Sequence, residues 1–215
     1  MTSISPLATK LAEGLAAMRL DIPPEAQGKL LAYLDLLAKW NRTYNLTAVR
    51  DPEDMVSRHL LDSLVVLPFV HGQSLADLGS GAGLPGIPLA IARPEIAVTL
   101  VESNGKKARF LREAIRSLPL ANVTVAQARV QDTTGVFDTV TARAFASLPD
   151  MLAWGGHLLA PEGRWLALKG HADPAELDAV PRGFRVATVH ALEVPGTDGE
   201  RCVVELARTH HGTPS

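Results

Sequence analysis

The sequence predicts an α/β fold in which a helical extension precedes a mainly parallel sheet of seven strands with an antiparallel strand at its edge. Three observations predict it. Apolar residues recur at helical spacing before residue 72, seven short apolar runs follow, and helical patterns separate most of these runs. Strands that alternate with crossover helices form parallel sheets covered on both faces. We therefore expect a helical extension over residues 1–72, a sheet domain over residues 73–208 and a frayed tail over residues 209–215.

The helical extension contains three predicted helices. In the first, the apolar face consists of Leu7, Leu11, Leu15 and Met18. The second begins at Pro23-Pro24, carries an apolar stripe from Leu30 to Leu37 and fades at Trp40-Asn41. After a polar segment over residues 41–50, Asp51-Pro52-Glu53-Asp54 begins the third helix with a capping side chain, a proline and two acids.

The predicted strands are the apolar runs at residues 74–79, 97–102, 122–126, 137–142, 164–169, 184–192 and 201–207. The clearest intervening helix covers residues 104–118, where apolar residues share one face. Between the last two runs stands Pro195-Gly196-Thr197-Asp198-Gly199, which is typical of a turn. We expect these two runs to form an antiparallel hairpin at the sheet edge.

The chain has 215 residues, a length that suits one domain. Its composition is that of an ordinary globular protein and excludes disordered and fibrous classes. The 21 basic side chains nearly balance the 23 acidic ones, so a nucleic acid would have to be bound by a local basic patch. The single cysteine, Cys202, allows no intramolecular disulfide, and the seven histidines lack zinc-site spacing, so we expect no metal. Because no secretory signal or membrane-spanning run is recognisable, we expect a cytoplasmic protein without membrane contact. We also expect a monomer.

The most informative stretch leads from the first strand into a glycine-rich loop. Asp77 stands near the end of the strand, and Gly79, Gly81 and Gly83 follow at alternate positions. Glycines permit the positive φ angles and the close backbone approach that a ligand at the carboxyl end of a strand requires. A helix that begins near Pro85 would direct free N–H groups at electron-rich ligand atoms.

Two cofactor classes compete for this loop. The letters from Gly81 to Gly86 match the GxGxxG pattern of dinucleotide binding, but the match does not begin directly at the strand end. The frame Asp-x-Gly-x-Gly-x-Gly from Asp77 is the S-adenosylmethionine pattern, in which this carboxylate accepts from the methionine ammonium, directly or through water. It would repel a pyrophosphate. The loop thus favours S-adenosylmethionine, with a nicotinamide dehydrogenase and a turn without a ligand as the alternatives.

A second acid stands at the end of the next strand. Glu102 follows Asp77 by 25 residues. An acid in this position can bind both ribose hydroxyls of an adenosine, so it serves either cofactor class. The alternative is a solvated acid at a strand end.

Further motifs occur in order along the chain: Asn45-Leu46-Thr47-Ala48, His59-Leu60-Leu61-Asp62-Ser63-Leu64, Gly81-Ala82-Gly83-Leu84-Pro85-Gly86-Ile87-Pro88, Glu102-Ser103-Asn104 with Lys106-Lys107, Arg143-Ala144-Phe145-Ala146 and Leu168-Lys169-Gly170. Together they resemble the bacterial small-subunit ribosomal RNA guanine-N7 methyltransferases, also called glucose-inhibited division protein B. The resemblance extends from about residue 30 to residue 207, and the extended glycine loop is its most specific part.

The resemblance implies a class I, Rossmann-like S-adenosylmethionine-dependent methyltransferase. It implies 16S ribosomal RNA or the 30S subunit as partner and N7 of a guanine in the 530 loop as target. The cofactor positions that it implies are Gly79, Leu84, Val130, Gln131 and Arg143, with the ribose at Glu102. The chain departs from the family at Gln131, Ala142 and Cys202, where the family commonly has an acid, a serine and a histidine.

Guanine N7 needs no deprotonation before it attacks a methyl group, so we assign no catalytic base and expect the protein to position the reactants. The candidates for holding the target base are Asn45, Thr47, Arg50, Arg143 and Lys169. Two of them end predicted strands at the ligand edge, and Lys169 could donate to guanine O6 there.

These candidates have structural alternatives. Lys169 could be a solvated strand end, and Arg143 could pair with Asp77 or Glu102. Asn45 and Thr47 could cap the third helix or order the loop before it.

Basic residues cluster at two places. The helical extension contains Lys39, Arg42, Arg50 and Arg58, and the segment after Glu102 contains Lys106, Lys107, Arg109, Arg112 and Arg116. The first cluster is the better candidate for phosphate contacts, whereas the second has the pattern of a solvated helix face.

Three kinds of function compete. An RNA methyltransferase fits the polar, basic segment at residues 41–50, whereas a small-molecule methyltransferase would usually have an apolar lid there. A methyltransferase of another RNA remains an alternative. A non-catalytic nucleotide-binding module could lose the glycines or Glu102 without cost, so their joint presence disfavours it.

Overall fold

The computed structural model describes residues 5–143 and 146–209. Its strands are β1 (Ser74–Leu78), β2 (Ala97–Val101), β3 (Val123–Ala126), β4 (Phe137–Arg143), β5 (Leu159–Lys169), β6 (Phe184–Ala191) and β7 (Cys202–Arg208). Its α-helices are α1 (Pro6–Ala17), α2 (Pro24–Tyr44), α3 (Pro52–Met55), α4 (Asp62–Leu64), α5 (Gly86–Ala92), α6 (Gly105–Ser117), α7 (Leu148–Gly155) and α8 (Pro174–Asp178). A π-helical segment, Val56–Leu61, joins α3 to α4, and short 3₁₀ turns occupy Leu67–Phe69, Val130–Asp132 and Gly156–Leu158. Apart from Thr209, the predicted tail lies outside the described residues.

The strands form one sheet in the order β3-β2-β1-β4-β5-β7-β6. Strands β1 to β5 pair in parallel, and β7 is antiparallel to both β5 and β6. The predicted fold class and the antiparallel pair at the edge are therefore confirmed. Within that pair β7 lies inside and β6 forms the edge, because β7 buries Val203, Val204 and Leu206 whereas β6 buries no residue.

Two predicted boundaries differ from the structure by more than one residue. Helix α2 continues to Tyr44 instead of ending at Trp40-Asn41, because buried Asn41 makes its hydrogen bonds to the following loop. Its Oδ1 accepts from the Thr47 N–H at 2.9 Å. Strand β5 begins at Leu159, five residues before the predicted 164, with an irregularity opposite Phe137 and Thr139 where its pairing to β4 shifts.

The helical extension packs on one face of the sheet and shares its hydrophobic core. Leu11 of α1 and Leu37 of α2 belong to the same buried cluster as Ile87 of α5, Leu111 of α6 and Leu166 of β5. A second cluster, centred on Trp165 and Met151, fills the opposite face beneath α7. The sheet is thus covered on both faces, as the apolar runs of its strands predict.

No helix in the described part of the chain combines the length and the apolar character needed to cross a lipid bilayer.

Candidate active site

A first cavity, of about 360 Å³, opens at the edge where β1, β2 and β3 end. It is lined by Gly79, Val101, Glu102, Ser103, Lys107, Ala128, Arg129, Val130, Gln131 and Trp154. Parallel strands present their carboxyl ends at one edge of the sheet, and open α/β sheets bind ligands there. Four of the predicted cofactor residues, Gly79, Glu102, Val130 and Gln131, meet in this cavity.

The glycine loop above this cavity requires left-handed backbone at three positions. The φ angles are 64° at Gly79, 60° at Gly81 and 89° at Gly83. A Cβ atom at Gly83 would lie 2.5 Å from Cδ1 of Ile87, whereas one at Gly81 would approach only the Gly79 carbonyl oxygen, at 3.7 Å. Gly83 is therefore needed for packing beneath the loop, and Gly81 faces open space.

Glu102 connects this loop to the end of β2. Its Oε2 accepts from the Gly81 N–H at 2.9 Å, and its Oε1 accepts from the Asn104 N–H at 2.7 Å. The side chain is nearly buried, yet it lines the first cavity. Each carboxylate oxygen can accept a further hydrogen bond, so Glu102 can bind a pair of hydroxyl groups while it holds the loop.

Asp77 lies beneath the loop and not among the residues that line the cavity. Its carboxylate is fully buried and accepts from the Gly86 N–H and the Thr141 hydroxyl, both at 3.1 Å. Burial raises the pKa of Asp77 to about 6, although the Gly86 hydrogen bond opposes this. The N–H at the start of α5 is thus occupied by Asp77 and is not directed at a ligand. The geometry supports a role for Asp77 in shaping the loop.

Leu84 is also packed into the core beneath the loop. Its side chain belongs to the main hydrophobic cluster and does not line either of the two cavities described in this section. Its N–H donates to the Ser80 carbonyl at 3.1 Å. Like Asp77, it therefore affects the cavity through the conformation of the loop.

Tyr33 is a loop contact that the sequence pattern did not reveal. It is fully buried in α2, and its hydroxyl donates to the Ala82 carbonyl at 2.7 Å. Burial raises the pKa of Tyr33 well above its ordinary value, so the hydroxyl keeps its proton. A lone tyrosine within the leucine stripe of α2 is the only signal that could have indicated it.

A second cavity, of about 370 Å³, opens where β4 and β5 end and β7 begins. It is lined by Asp62, Arg143, Leu168, Lys169, Gly170, Leu192, Arg201 and Cys202. Two of the five predicted candidates for binding the target base, Arg143 and Lys169, meet here. The pairing of Arg143 with Leu168 across β4 and β5 brings them together.

Arg143 pairs with Asp62, so the predicted alternative pairing with Asp77 or Glu102 is wrong. Its Nη1 lies 3.2 Å from Oδ2 of Asp62, and Nε of Arg201 lies 3.1 Å from Oδ1 of the same carboxylate. Arg143 does not line the first cavity, where the family resemblance placed it. Asp62 thus holds two guanidinium groups at the wall of the second cavity.

Lys169 is held by two contacts instead of being a solvated strand end. Its Nζ lies 2.6 Å from Oε2 of Glu176 in α8 and donates to the Ala146 carbonyl at 3.0 Å. An ammonium group has three N–H donors, so one remains for a ligand in the second cavity.

The other three candidates form the loop between α2 and α3 and line neither cavity. Asn45 caps the carboxyl end of α2 with its backbone in the left-handed region, and its Oδ1 accepts a hydrogen bond from Nη2 of Arg50 at 3.3 Å. The hydroxyl oxygen of Thr47 lies 2.9 Å from Nε2 of His59, which belongs to the π-helical segment. These contacts fit the alternative in which both residues order the loop, while Asp51 caps α3 as predicted.

His59 connects this loop to the second cavity. Burial lowers the pKa of His59 to about 4, so its ring is neutral at pH 7. The π-helical segment that contains His59 ends directly before Asp62. The loop is thus attached to the segment that supplies the carboxylate of the second cavity.

Asp62, Arg201 and Trp154 are among the lining residues that were not predicted as site residues. Asp62 lies in a motif of the resemblance, and Arg201 directly precedes Cys202, so both had a local signal. Among the described residues no group of three or more histidine, cysteine or acidic side chains is arranged to hold a metal ion.

Comparisons with known proteins show what this chain is similar to. A model of the GidB family, described as rRNA small subunit methyltransferase G, matches residues 26–204. The chain is 57% identical over 196 residues to the ribosomal RNA small subunit methyltransferase G of Xanthomonas campestris pv. campestris (strain 8004), which covers 90% of this chain and 92% of that protein. It is 55% identical over 205 residues to the protein of the same name from Stenotrophomonas maltophilia (strain K279a), with 93% and 94% covered.

Solved structures with a similar fold share little sequence identity with this chain. TrmN from Thermus thermophilus aligns with a TM-score of 0.56 and 21% identity, over 72% of this chain and 53% of that one. M. jannaschii TYW2, solved in complex with AdoMet, aligns with a TM-score of 0.54 and 17% identity, over 70% of this chain and 76% of that one. These likenesses concern the fold alone.

Proposed function

The chain belongs to the GidB family of rRNA small subunit methyltransferases G, and from this membership we propose that it methylates N7 of a guanine in the 530 loop of 16S ribosomal RNA. It is an S-adenosylmethionine-dependent methyltransferase. We further propose, in line with the expectations from the sequence, that it acts as a monomer in the cytoplasm.

The observation that carries the proposal is the pair of cavities at one edge of the sheet. The first lies at the ends of β1, β2 and β3 and contains the carboxylate of Glu102. The second lies at the ends of β4 and β5 and contains the cations Arg143, Lys169 and Arg201. Since β1 and β4 are adjacent strands, a cofactor in the first cavity and a base in the second would be neighbours.

The first cavity fits S-adenosylmethionine. Glu102 offers a nearly buried carboxylate for the ribose hydroxyls, and the backbone at Gly79 and Gly81 carries no side chain that would block approach. Val130 and Gln131 line the same cavity, where an adenine would follow the ribose. Asp77, Gly83 and Leu84 hold the loop from below, so their contribution to cofactor binding is indirect.

When bound, the cofactor supplies a methyl group that its sulfonium charge has already activated. The chain's own task is to hold the guanine so that its N7, and no other atom, faces the methyl group. This entropic contribution needs no general base. Lys169 keeps one N–H for guanine O6, and the Asp62 carboxylate keeps Arg143 and Arg201 at the cavity wall. Asn45, Thr47 and Arg50 act by ordering the loop beside the second cavity.

A small-molecule methyltransferase is the second candidate function. The second cavity has polar and charged walls at Asp62, Arg143, Lys169 and Arg201, which a planar, hydrogen-bonding nucleobase matches better than an apolar metabolite does. The proposal therefore keeps RNA as the substrate.

The test is a methyl-transfer assay with tritiated S-adenosylmethionine. Unmodified 30S subunits and deproteinised 16S rRNA are offered in parallel, and the labelled base is mapped. We expect label at one guanine N7 in the 530 loop, and the better substrate identifies the stage of action. If the protein binds S-adenosylmethionine but labels neither RNA, the small-molecule enzyme is favoured. If it does not bind S-adenosylmethionine at all, the proposal is refuted.

A further inference from the structure

A third concave surface lies outside both cavities of the active site, between the end of α2 and the start of α6. It has a volume of about 690 Å³ and is lined by Tyr44, Asn104, Gly105, Lys106, Arg109, Arg112 and Gln127. We call it the α2–α6 groove. We propose that this groove binds the phosphodiester backbone of the substrate RNA and stacks one of its bases on Tyr44. This inference rests on the proposed function in one respect, namely that the substrate is RNA.

The first argument is uncompensated positive charge. Lys106, Arg109 and Arg112 are all exposed, and within residues 5–143 and 146–209 none of the three has a carboxylate oxygen within 4.0 Å. Arg112 is oriented by a neutral group, because its Nη1 donates to Oε1 of Gln127 at 3.0 Å. A row of unneutralised cations attracts a polyanion, and in a chain with a net charge of −2 it must act locally.

Arg116 of the same helix provides the contrast. Its guanidinium lies 2.7 Å from Oε1 of Glu113 and also contacts Oε2 of that carboxylate. Arg116 does not line the groove. The neutralised cation of α6 therefore lies outside the groove. Three of its unneutralised cations lie within the groove, and Lys107 lines the first cavity.

The second argument is an aromatic ring at the rim. Tyr44 is 36% exposed, and one face of its ring stacks on Trp40 with ring centroids 5.1 Å apart and an interplanar angle of 29°. Trp40 in turn packs against Phe110, which is fully buried, with centroids 5.7 Å apart. The Tyr44 ring is thus anchored to the core through two aromatic contacts, and the residue is still more than one third exposed. Stacking of bases on such rings is a general mode of binding single-stranded nucleic acid.

The third argument is the position of the groove relative to the active site. Glu102, Ser103 and Lys107 line the first cavity, whereas Asn104, Gly105 and Lys106 line the groove. On its other side, Tyr44 leads directly into the loop of Asn45 to Arg50, which contacts the π-helical segment that ends at the second cavity. A strand bound in the groove therefore adjoins the first cavity and lies next to the loop that contacts the segment leading to Asp62.

The combination of cations with the exposed Tyr44 ring favours RNA over an acidic peptide. Phosphates need positive charge, but only a nucleic acid also supplies planar bases for stacking. The groove also revises an expectation from the sequence, in which the cations of α6 have the pattern of a solvated helix face. The structure brings three of them together with Tyr44 from a helix more than sixty residues earlier in the chain.

The test compares four variants of the full chain for binding to unmodified, deproteinised 16S rRNA over a range of salt concentrations. The double variant Lys106→Gln, Arg109→Gln removes two cations, and Arg116→Gln on the same helix is the matched control. Tyr44→Leu removes the ring, and Tyr44→Phe retains it. The affinity of each variant for S-adenosylmethionine, measured by calorimetry, reports whether the fold and the first cavity are intact.

We expect the double variant to bind RNA about tenfold or more weakly, with the slope of log K against log salt reduced by about 1.4, since each phosphate contact to single-stranded RNA contributes about 0.7. Tyr44→Leu should weaken RNA binding about tenfold without changing the salt slope, and Tyr44→Phe should behave like the wild type. Cofactor affinity should be unchanged in all four variants.

RNA binding by the double variant equal to that of Arg116→Gln would overturn the inference. A parallel loss of affinity for S-adenosylmethionine in the double variant would also overturn the inference, because the weaker RNA binding would then come from a damaged fold. A wild type that binds the cofactor but methylates no ribosomal RNA would instead refute the proposed function, and the two failures are thus distinguishable. A double variant that retains RNA binding but loses binding to a polyglutamate peptide would assign the groove to an acidic protein partner.

Discussion

The hydroxyl of Tyr33 donates a hydrogen bond to the carbonyl oxygen of Ala82, 2.7 Å away, and so ties helix α2 to the glycine loop. The two residues are 49 positions apart in the chain. Both are buried, so this contact replaces water for a carbonyl that faces the interior. The helical extension is therefore part of the support of the first cavity.

Tyr33→Phe tests this support. The substitution leaves the Ala82 carbonyl buried without its partner, which we expect to lower the free energy of unfolding by about 1–3 kcal/mol. The loop should also lose definition, with cofactor binding weakened several-fold. Denaturant unfolding and calorimetry measure the two effects. Tyr44→Phe is the matched control, because that ring is at the surface; equal values for the two variants and the wild type would contradict the anchoring role.

The two glycines of the loop should respond differently to the same substitution. Gly81→Val should abolish cofactor binding, because the new side chain would block the approach that the glycine leaves open. The fold should stay largely intact, because the side chain meets open space and adds only backbone strain, about 1–2 kcal/mol. Gly83→Val should destabilise the fold itself, since its Cβ would collide with Ile87. Thermal unfolding and calorimetry separate the outcomes. Normal cofactor affinity in Gly81→Val would show that the loop has been assigned wrongly.

Glu102→Gln tests the ribose contact. An amide has one acceptor oxygen, so it cannot accept from both the Gly81 and Asn104 N–H groups and also from two hydroxyls. We expect the affinity for S-adenosylmethionine to fall at least about tenfold, which is about 1.4 kcal/mol. Glu95→Gln, a surface acid paired with Arg93, is the control and should leave it unchanged. Unchanged affinity in Glu102→Gln would remove Glu102 from the cofactor site.

Asp77→Asn tests the buried carboxylate through pH. The folded protein raises the pKa of Asp77 from 3.8 to about 6, so it binds this proton more tightly than the unfolded chain does. The contribution of Asp77 to stability is therefore greatest below about pH 4, decreases as the pH rises to about 6 and is constant above that. The free energy of unfolding of the wild type, relative to the variant, should fall by about 1–3 kcal/mol across this interval.

Urea unfolding of both proteins between pH 4 and pH 8 measures this difference. Groups that titrate equally in the two proteins cancel, so the comparison isolates Asp77. A difference that does not change with pH would mean that the carboxylate is not disfavoured by burial.

Lys169→Gln tests the second cavity. The substitution removes the N–H donor proposed for guanine O6, so kcat/KM for RNA should fall about 10- to 100-fold while the affinity for S-adenosylmethionine stays unchanged. Arg164→Gln is the control, because Arg164 of the same strand pairs with Glu205 and lies outside both cavities. Methyl transfer measured at several RNA concentrations gives the result. Equal kcat/KM for the two variants would exclude Lys169 from substrate binding.

The sequence by itself determined the elements of this protein and the conformation of its glycine loop. Hydrophobic periodicity indicates helices and strands because it is a property of neighbouring residues, and alternating glycines after Asp77 indicate positive φ angles for the same reason. Glu102 could be placed beside the loop because adjacent parallel strands end at the same edge. These inferences needed only local pattern and one rule of sheet topology.

Only the tertiary structure decided which side chains meet. Asp62 contacts Arg143 across 81 residues and Arg201 across 139, and no local pattern specifies such pairs. Asp77 could be assigned to a strand end, but its burial beneath the loop depends on α5 and β4 packing around it. The cations of α6 likewise form a groove only because α2 places Tyr44 beside them. Local sequence determines backbone conformation through sterics and periodicity, whereas burial, ion pairing and the shape of a cavity depend on elements that are distant in the chain and are joined only by packing.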